Sequence, residues 1–208
     1  MITLIGQFDS PFVRRVGIAL RLYGMPFDHR PWSVFGDAEK IRPLNPLVRV
    51  PTLVLPDGDV LTDSHLILDW LDGQMHQPLF PRTEPDRHRA LWVAGLACGL
   101  ADKAVSLFYE RRLHDVTSPV WTERCEGQIG GVLRALEADR AGRSHAWWFG
   151  DHIGHADIAV ACALRFANEA HPGLTDWHGA PALAAHCAAA EAMEVFQQVS
   201  QPFVAPGT

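Results

Sequence analysis

Three short stretches carry side chains suited to gripping a small charged molecule. In DSPFVRR at 9–15, Ser10 and Pro11 stand where an apolar run, ITLIG at 2–6, gives way to a helix-periodic segment. Amide protons at a helix start attract an anion. The Ser10 hydroxyl can cap that helix, or donate to a thiolate and so lower a thiol's pKa. In LNPLVRVP at 44–51, the Val50–Pro51 bond precedes a strand and is a candidate cis bond. A cis proline would leave the Val50 N–H and C=O at a sheet edge, open to an extended peptide-like ligand; the alternative is a trans proline starting a strand. In TDS at 62–64, Asp63 can hold an ammonium group, while Ser64 and the helix-start amides can hold a carboxylate. Together they suit one end of an amino acid, or they simply cap a helix.

These stretches need a scaffold that brings helix starts and sheet edges together. Residues 2–6 read as a strand and 11–24 as a helix, with Val13, Val16 and Leu20 on one face, Pro11 at its first position and Gly24 at its stop. Phe27–Arg30 reads as a second strand, DAEK at 37–40 as a helical turn, and 51–55 and 60–62 as a hairpin around PDGD. A helix follows over 64–72. The order β-α-β-(α)-β-β-α predicts a mixed four-stranded sheet with helices on its faces, over residues 1–75. The proline-rich span 76–86 reads as a linker. From 87 to 208 the strand signal nearly vanishes, and helical spans are expected over 87–113, 119–141, 153–168, 181–192 and 194–199, with a loose tail over 201–208.

The 208 residues are 48% hydrophobic and 20% charged, the profile of a soluble globular chain. A net charge of −6 disfavours a general electrostatic footprint for nucleic acid. Cys98, Cys125, Cys162 and Cys187 lack C-x-x-C spacing and read as buried thiols. The opening residues lack the pattern of a signal peptide, and no window of eighteen apolar residues is free of charge, so a cytoplasmic location without a membrane is expected. His152 and His155 have H-x-x-H spacing but no evident third ligand, so no metal is expected. Trp147, Trp148 and Phe149 read as core. The Arg14–Arg15 pair lies on the first helix, and one of the two is expected to face solvent or a partner subunit.

With those motifs in place, the chain resembles the cytosolic glutathione transferase family. The resemblance rests on SPFVRRVGIALRLYG at 10–24, NPLVRVPTLV at 45–54, DGDVLTDSHLILDWL at 57–71 and GDHIGHADIA at 150–159. The SPFVRR opening is most similar to serine-type members, including the tau-like group and bacterial relatives. The resemblance implies an α/β thioredoxin-like N-terminal domain, an all-helical C-terminal domain and a homodimer. It matches Ser10 to the serine that hydrogen-bonds the glutathione sulfur, and Val50 and Pro51 to the residue pairing with the cysteinyl part and its cis proline. Asp63 and Ser64 match the pair gripping the γ-glutamyl end. Arg49 falls near the glycine carboxylate, with Lys40 as a possible helper.

Two departures stand out. Gly154 sits three residues before Asp157, where the family commonly has Ser or Thr; glycine is a tolerable cap, weaker by about a few tenths of a kcal/mol. No cysteine lies near position 10, which argues against disulfide-reductase chemistry. The implied reaction is conjugation of the glutathione thiolate to a small hydrophobic electrophile. Phe12, Leu107, Phe108 and Tyr109 are candidate walls or ordinary core, and Arg111 and Arg112 candidate anion contacts or a solvated face. The alternatives are another glutathione-dependent activity (isomerase, peroxidase, dehalogenase or ether cleavage) or a non-catalytic binding protein.

Overall fold

The computed structural model describes residues 1–205, and these fall into two compact units. Among the described residues the first takes Met1–Leu79 together with 193–205; the second is Phe80–Ala192.

The first unit holds a four-stranded sheet in the order β2-β1-β3-β4. Strand β1 (Ile2–Ile5) runs parallel to β2 (Phe27–Arg30), with Ile2 opposite Phe27. It runs antiparallel to β3 (Thr52–Val54), with Leu4 opposite Leu53, and β3 pairs antiparallel with β4 (Val60–Thr62). Ile2, Leu4 and Ile5 are all buried, the signature of a central strand covered on both faces.

Helix α1 (Pro11–Leu22) begins at Ser10 and ends in a Schellman turn. The Met25 amide donates to the Leu20 carbonyl and the Gly24 amide to that of Arg21, while Gly24 takes φ +64°, which a side chain would resist. The short helix α2 (Ala38–Ile41) and α3 (Ser64–Gly73) complete the order read from the sequence. Val13, Val16 and Leu20 on α1 and Ile67, Leu68 and Leu71 on α3 are buried, so both helices contribute to the core of this unit.

Arg14 and Arg15 overturn the solvent-facing expectation, for both are buried, at 2% and 1% exposure. For Arg14 the reason is α8 (Glu194–Gln198), which packs on α1. Arg14 Nε donates to the Val199 carbonyl at 2.8 Å and Nη2 to the Phe196 carbonyl at 2.9 Å, with the guanidinium 5.3 Å from the Phe196 ring centre. Carbonyls left over at a helix end are natural partners for a cation. The all-helical stretch read as 87–208 therefore gives up its last segment, which joins the first unit. The tail is also less loose than its composition suggested: Gln201 Oε1 accepts from the Phe8 amide at 2.8 Å, and Asp9 Oδ2 from the Val204 amide at 3.1 Å. Residues 206–208 of that tail lie outside the described residues.

The second unit consists of α4 (Asp86–Leu113), α5 (Pro119–Ala141), α6 (His155–Ala170) and α7 (Pro181–Glu191). Helix α6 is its axis, with Ile158, Val160 and Leu164 fully buried. It faces the small residues Ala94, Ala97, Ala101 and Ala104 of α4, which let the helices approach closely. By length and composition α4 could also cross a membrane; here Val93, Leu100 and Leu107 put its apolar side into a helical core. Trp148 is fully buried, as read, with its ring N–H donating to Asp139 Oδ1 at 2.6 Å. Asp157 accepts from the Gly154 amide at 2.9 Å and the Trp148 amide at 2.8 Å. Gly154 has no side chain to return the bond, so only half a capping box exists. None of the four cysteines forms a disulfide; Cys98, Cys125 and Cys162 are buried, as read, while Cys187 is half-buried.

Candidate active site

Ser10 is the N-cap of α1, its Oγ accepting from the Val13 amide at 3.4 Å. Capping and thiolate binding are compatible, because the cap uses a lone pair of Oγ and leaves its proton to donate. Pro11 brings no N–H and the Arg14 amide donates to the Ser10 carbonyl. The Phe12 amide has no partner among the described residues, so the helix start keeps one donor for an anion.

Gly6 brings Val50 to this helix start. At φ +128°, a Cβ on Gly6 would lie 2.5 Å from Val13 Cγ2 and 2.8 Å from Val50 Cβ. Only glycine permits that approach. The sequence marks Gly6 merely as the end of a strand.

The loop that delivers Val50 is organised by Asn45, which sequence reasoning passed over. Asn45 is buried; its Nδ2 donates to the Arg49 carbonyl at 2.9 Å and to Thr52 Oγ1 at 3.1 Å, and its Oδ1 accepts from the Leu47 amide at 3.0 Å. Thr52 Oγ1 donates to the same Arg49 carbonyl at 2.9 Å. An asparagine ahead of a proline-containing turn is the one sequence cue to this network. Val48 takes φ +50°, a costly setting for a β-branched residue that the surrounding bonds must hold. The Val50–Pro51 bond is cis, as the sequence suggested. Neither backbone polar group of Val50 has a hydrogen-bond partner among the described residues. Arg49 beside it is exposed.

Asp63 caps α3, its Oδ1 accepting from the His65 amide at 2.8 Å, and takes φ +69°. Its carboxylate is at the surface. Ser64 is only 3% exposed and its hydroxyl has no partner among the described residues. Burial, then the positive charge of Arg15, lowers the pKa of His65, against a smaller upward pull from Asp63. Lys40 is engaged locally, 2.6 Å from Asp37 Oδ1 and over the Trp32 ring.

In the second unit, Leu107 is core, while Phe108 and Tyr109 are half-buried. Arg111 is not a bare surface cation: it pairs with Glu126 and donates to His171 Nδ1 at 3.2 Å. His171 Nε2 donates to the Ala104 carbonyl at 2.8 Å, which leaves Nδ1 as the acceptor. His155 is buried against the Phe80 ring. Among the described residues no group of three or more His, Cys, Asp or Glu could hold a metal ion.

Residues 9–74 match the glutathione S-transferase N-terminal domain, and residues 119–189 the glutathione S-transferase C-terminal domain. The chain is 37% identical to glutathione S-transferase U1 of Arabidopsis thaliana over 167 residues, 79% of this chain and 70% of that protein. It is 29% identical to maleylacetoacetate isomerase of Pseudomonas aeruginosa over 210 residues, 96% of this chain and 97% of that protein. Among solved structures, a glutathione S-transferase from Methylobacterium radiotolerans in complex with glutathione sulfonate superposes with a TM-score of 0.89 at 28% identity, covering 100% of this chain and 99% of that one.

Proposed function

The chain belongs to the glutathione S-transferase family, and from that premise we propose that it joins the glutathione thiolate to a small hydrophobic electrophile, with Ser10 stabilising the thiolate. The observation that carries this reading is the packing of Val13 and Val50 against Gly6, which brings Val50 to the helix that Ser10 caps. A hydroxyl proton, a helix-start amide and an unpaired backbone on these neighbouring segments are the groups a cysteinyl peptide requires.

Free glutathione thiol is mostly protonated near neutrality, the cysteine reference pKa being about 8.5. The thiol gives up its proton to solvent while the Ser10 hydroxyl, keeping its own proton, donates a hydrogen bond to the sulfur, and the α1 dipole favours the same anion. A two-unit shift corresponds to about 2.7 kcal/mol. Ser10 itself stays protonated, since no adjacent base could support an alkoxide. Val50 N–H and C=O pair with the cysteinyl backbone. Asp63 takes the γ-glutamyl ammonium, Ser64 and the α3 amides its carboxylate, and exposed Arg49 the glycine carboxylate. The bound sulfur forms a C–S bond as the electrophile's leaving group departs. We place this enzyme in the cytoplasm as a homodimer acting in detoxification.

Isomerisation is the second reading, because the likeness to a maleylacetoacetate isomerase spans nearly both chains. Assays with glutathione against an electrophile panel, then against cis-dienoic acids and peroxides, separate the readings. Conjugate formation alone supports the first; turnover of the dienoic acid without net glutathione consumption replaces it with the second. Glutathione binding with no turnover in any assay leaves a non-catalytic binder and overturns both.

A further inference from the structure

The loop carrying Ser10 is held by the far end of the chain. Phe8, two residues before Ser10, donates its amide proton to Gln201 Oε1 at 2.8 Å. Asp9, the next residue, accepts the Val204 amide at 3.1 Å. The Phe8 ring stacks on the His29 ring, with centroids 3.8 Å apart and planes 11° apart, and His29 Nε2 donates to the Gly6 carbonyl at 2.8 Å. A Cβ on Gly17 would lie 2.9 Å from Phe8 and 2.8 Å from Val199, so helix, loop and C-terminal segment are in close contact at one point. Arg14, one turn after Ser10, fixes the root of that segment through Phe196 and Val199. Gly6 is thus held by β2, and Phe8 and Asp9, which lead into Ser10, by the chain beyond α8.

We propose that residues 199–204 form a strap that sets the position of Ser10, with Gln201 as a positioning residue for the thiolate. Gln201 touches neither sulfur nor electrophile in this role. It acts by holding the Phe8 amide, and with it the loop that aims the Ser10 hydroxyl. Small displacements of an aiming group weaken a developing charge more than they weaken ground-state binding. Asp9 and Arg14 are charged groups bonded directly to the strap. This inference rests on the reading of Ser10 given above.

The test uses the full chain carrying Gln201→Leu, which removes the acceptor, Gln201→Glu, which restores one, and Ser10→Ala as reference. Ultraviolet absorbance of bound glutathione thiolate is titrated against pH, and kcat and KM for glutathione are measured with one electrophile. For Gln201→Leu we expect kcat about tenfold lower, KM within about twofold and a thiolate titration moved to higher pH, the scale of one lost hydrogen bond. Gln201→Glu should recover most of this. A chain ending at Ser200 should show at least the Gln201→Leu effect. If Ser10→Ala moves the titration and Gln201→Leu does not, the strap is refuted while the Ser10 reading stands. If Ser10→Ala also leaves it unmoved, the Ser10 reading has failed and takes the strap with it. Equal losses in Gln201→Leu and Gln201→Glu, with a lowered melting temperature, would reduce Gln201 to a structural contact and overturn the proposal.

Discussion

Asp157 and His186 face one another inside the second unit, Oδ1 3.8 Å from Nε2, at 1% and 3% exposure. Burial is the first cause of both their pKa shifts. It pushes Asp157 up to about 6 against the downward pull of the Gly154 and Trp148 amides, and pushes His186 down to about 4. Arg140, which lies over Trp148, lowers both. Both groups are therefore neutral in the fold between these values.

The two shifts oppose each other in their effect on stability. A carboxyl raised from 3.8 binds its proton more tightly folded than unfolded, so its contribution falls as pH rises from about 4 to 6. A histidine lowered from 6.5 is neutral in the fold while the unfolded chain is protonated, so its contribution grows over about 4 to 6.5. Relative to the parent, His186→Gln should lose stability as pH rises from 4 to 6, and Asp157→Asn should gain it. Urea unfolding across this range reads the differences; profiles parallel to the parent's would mean neither shift exists.

Ser10 can be tested for its two duties separately. Ser10→Ala removes the cap and the proton, and should cost about 1 kcal/mol of stability as well as activity. Ser10→Asp keeps a good capping acceptor but places a negative charge where the thiolate forms. Its melting temperature should stay near the parent's while turnover falls by at least about tenfold, one pKa unit's worth of stabilisation. Equal turnover in the parent and Ser10→Asp would remove Ser10 from the chemistry.

Asp63 combines a strained backbone with an exposed carboxylate. Asp63→Gly relaxes the φ of +69° and removes the charge. Thermal stability should hold or rise slightly while the glutathione Kd increases about tenfold, the worth of one charge-assisted hydrogen bond. Asp63→Ala should weaken binding equally but also lower stability. Calorimetric titration showing unchanged affinity in both would detach Asp63 from the ligand.

Asn45→Ala deletes three hydrogen bonds around Arg49 and Thr52. A loss of about 2 kcal/mol is expected, since buried partners are left unsatisfied. Glutathione binding should weaken too, because the Val50 backbone loses its support. Unfolding and binding measured on one preparation decide this; full affinity in a destabilised variant would show that the network serves the fold alone.

The elements of this chain were legible because each has a local cause. Proline follows a capping serine at Ser10 and Ser118, glycine stands at the α1 stop, and PDGD turns a hairpin. The family motifs, too, lie on contiguous residues. What stayed hidden depends on distant partners. Arg14 looks like a solvent-facing charge until α8 covers it, and no helical period indicates which body a five-residue helix will join. Gly6 and Asn45 act through approaches to Val50, Arg49 and Thr52 that only the folded loop creates. Gln201 sits in a short tail with two prolines and a glycine and no helical or strand period, although its partner lies 193 positions earlier.

The discontinuity of the first unit has a consequence for synthesis. Its opening segment, Met1–Leu79, leaves the ribosome well before the residues from Met193 that cover Arg14. At typical elongation rates the intervening stretch takes on the order of ten seconds to make. Throughout that interval the Arg14 guanidinium lacks its Phe196 and Val199 carbonyls and must stay hydrated, so the first unit, its sheet already made, waits incomplete for the chain from Met193.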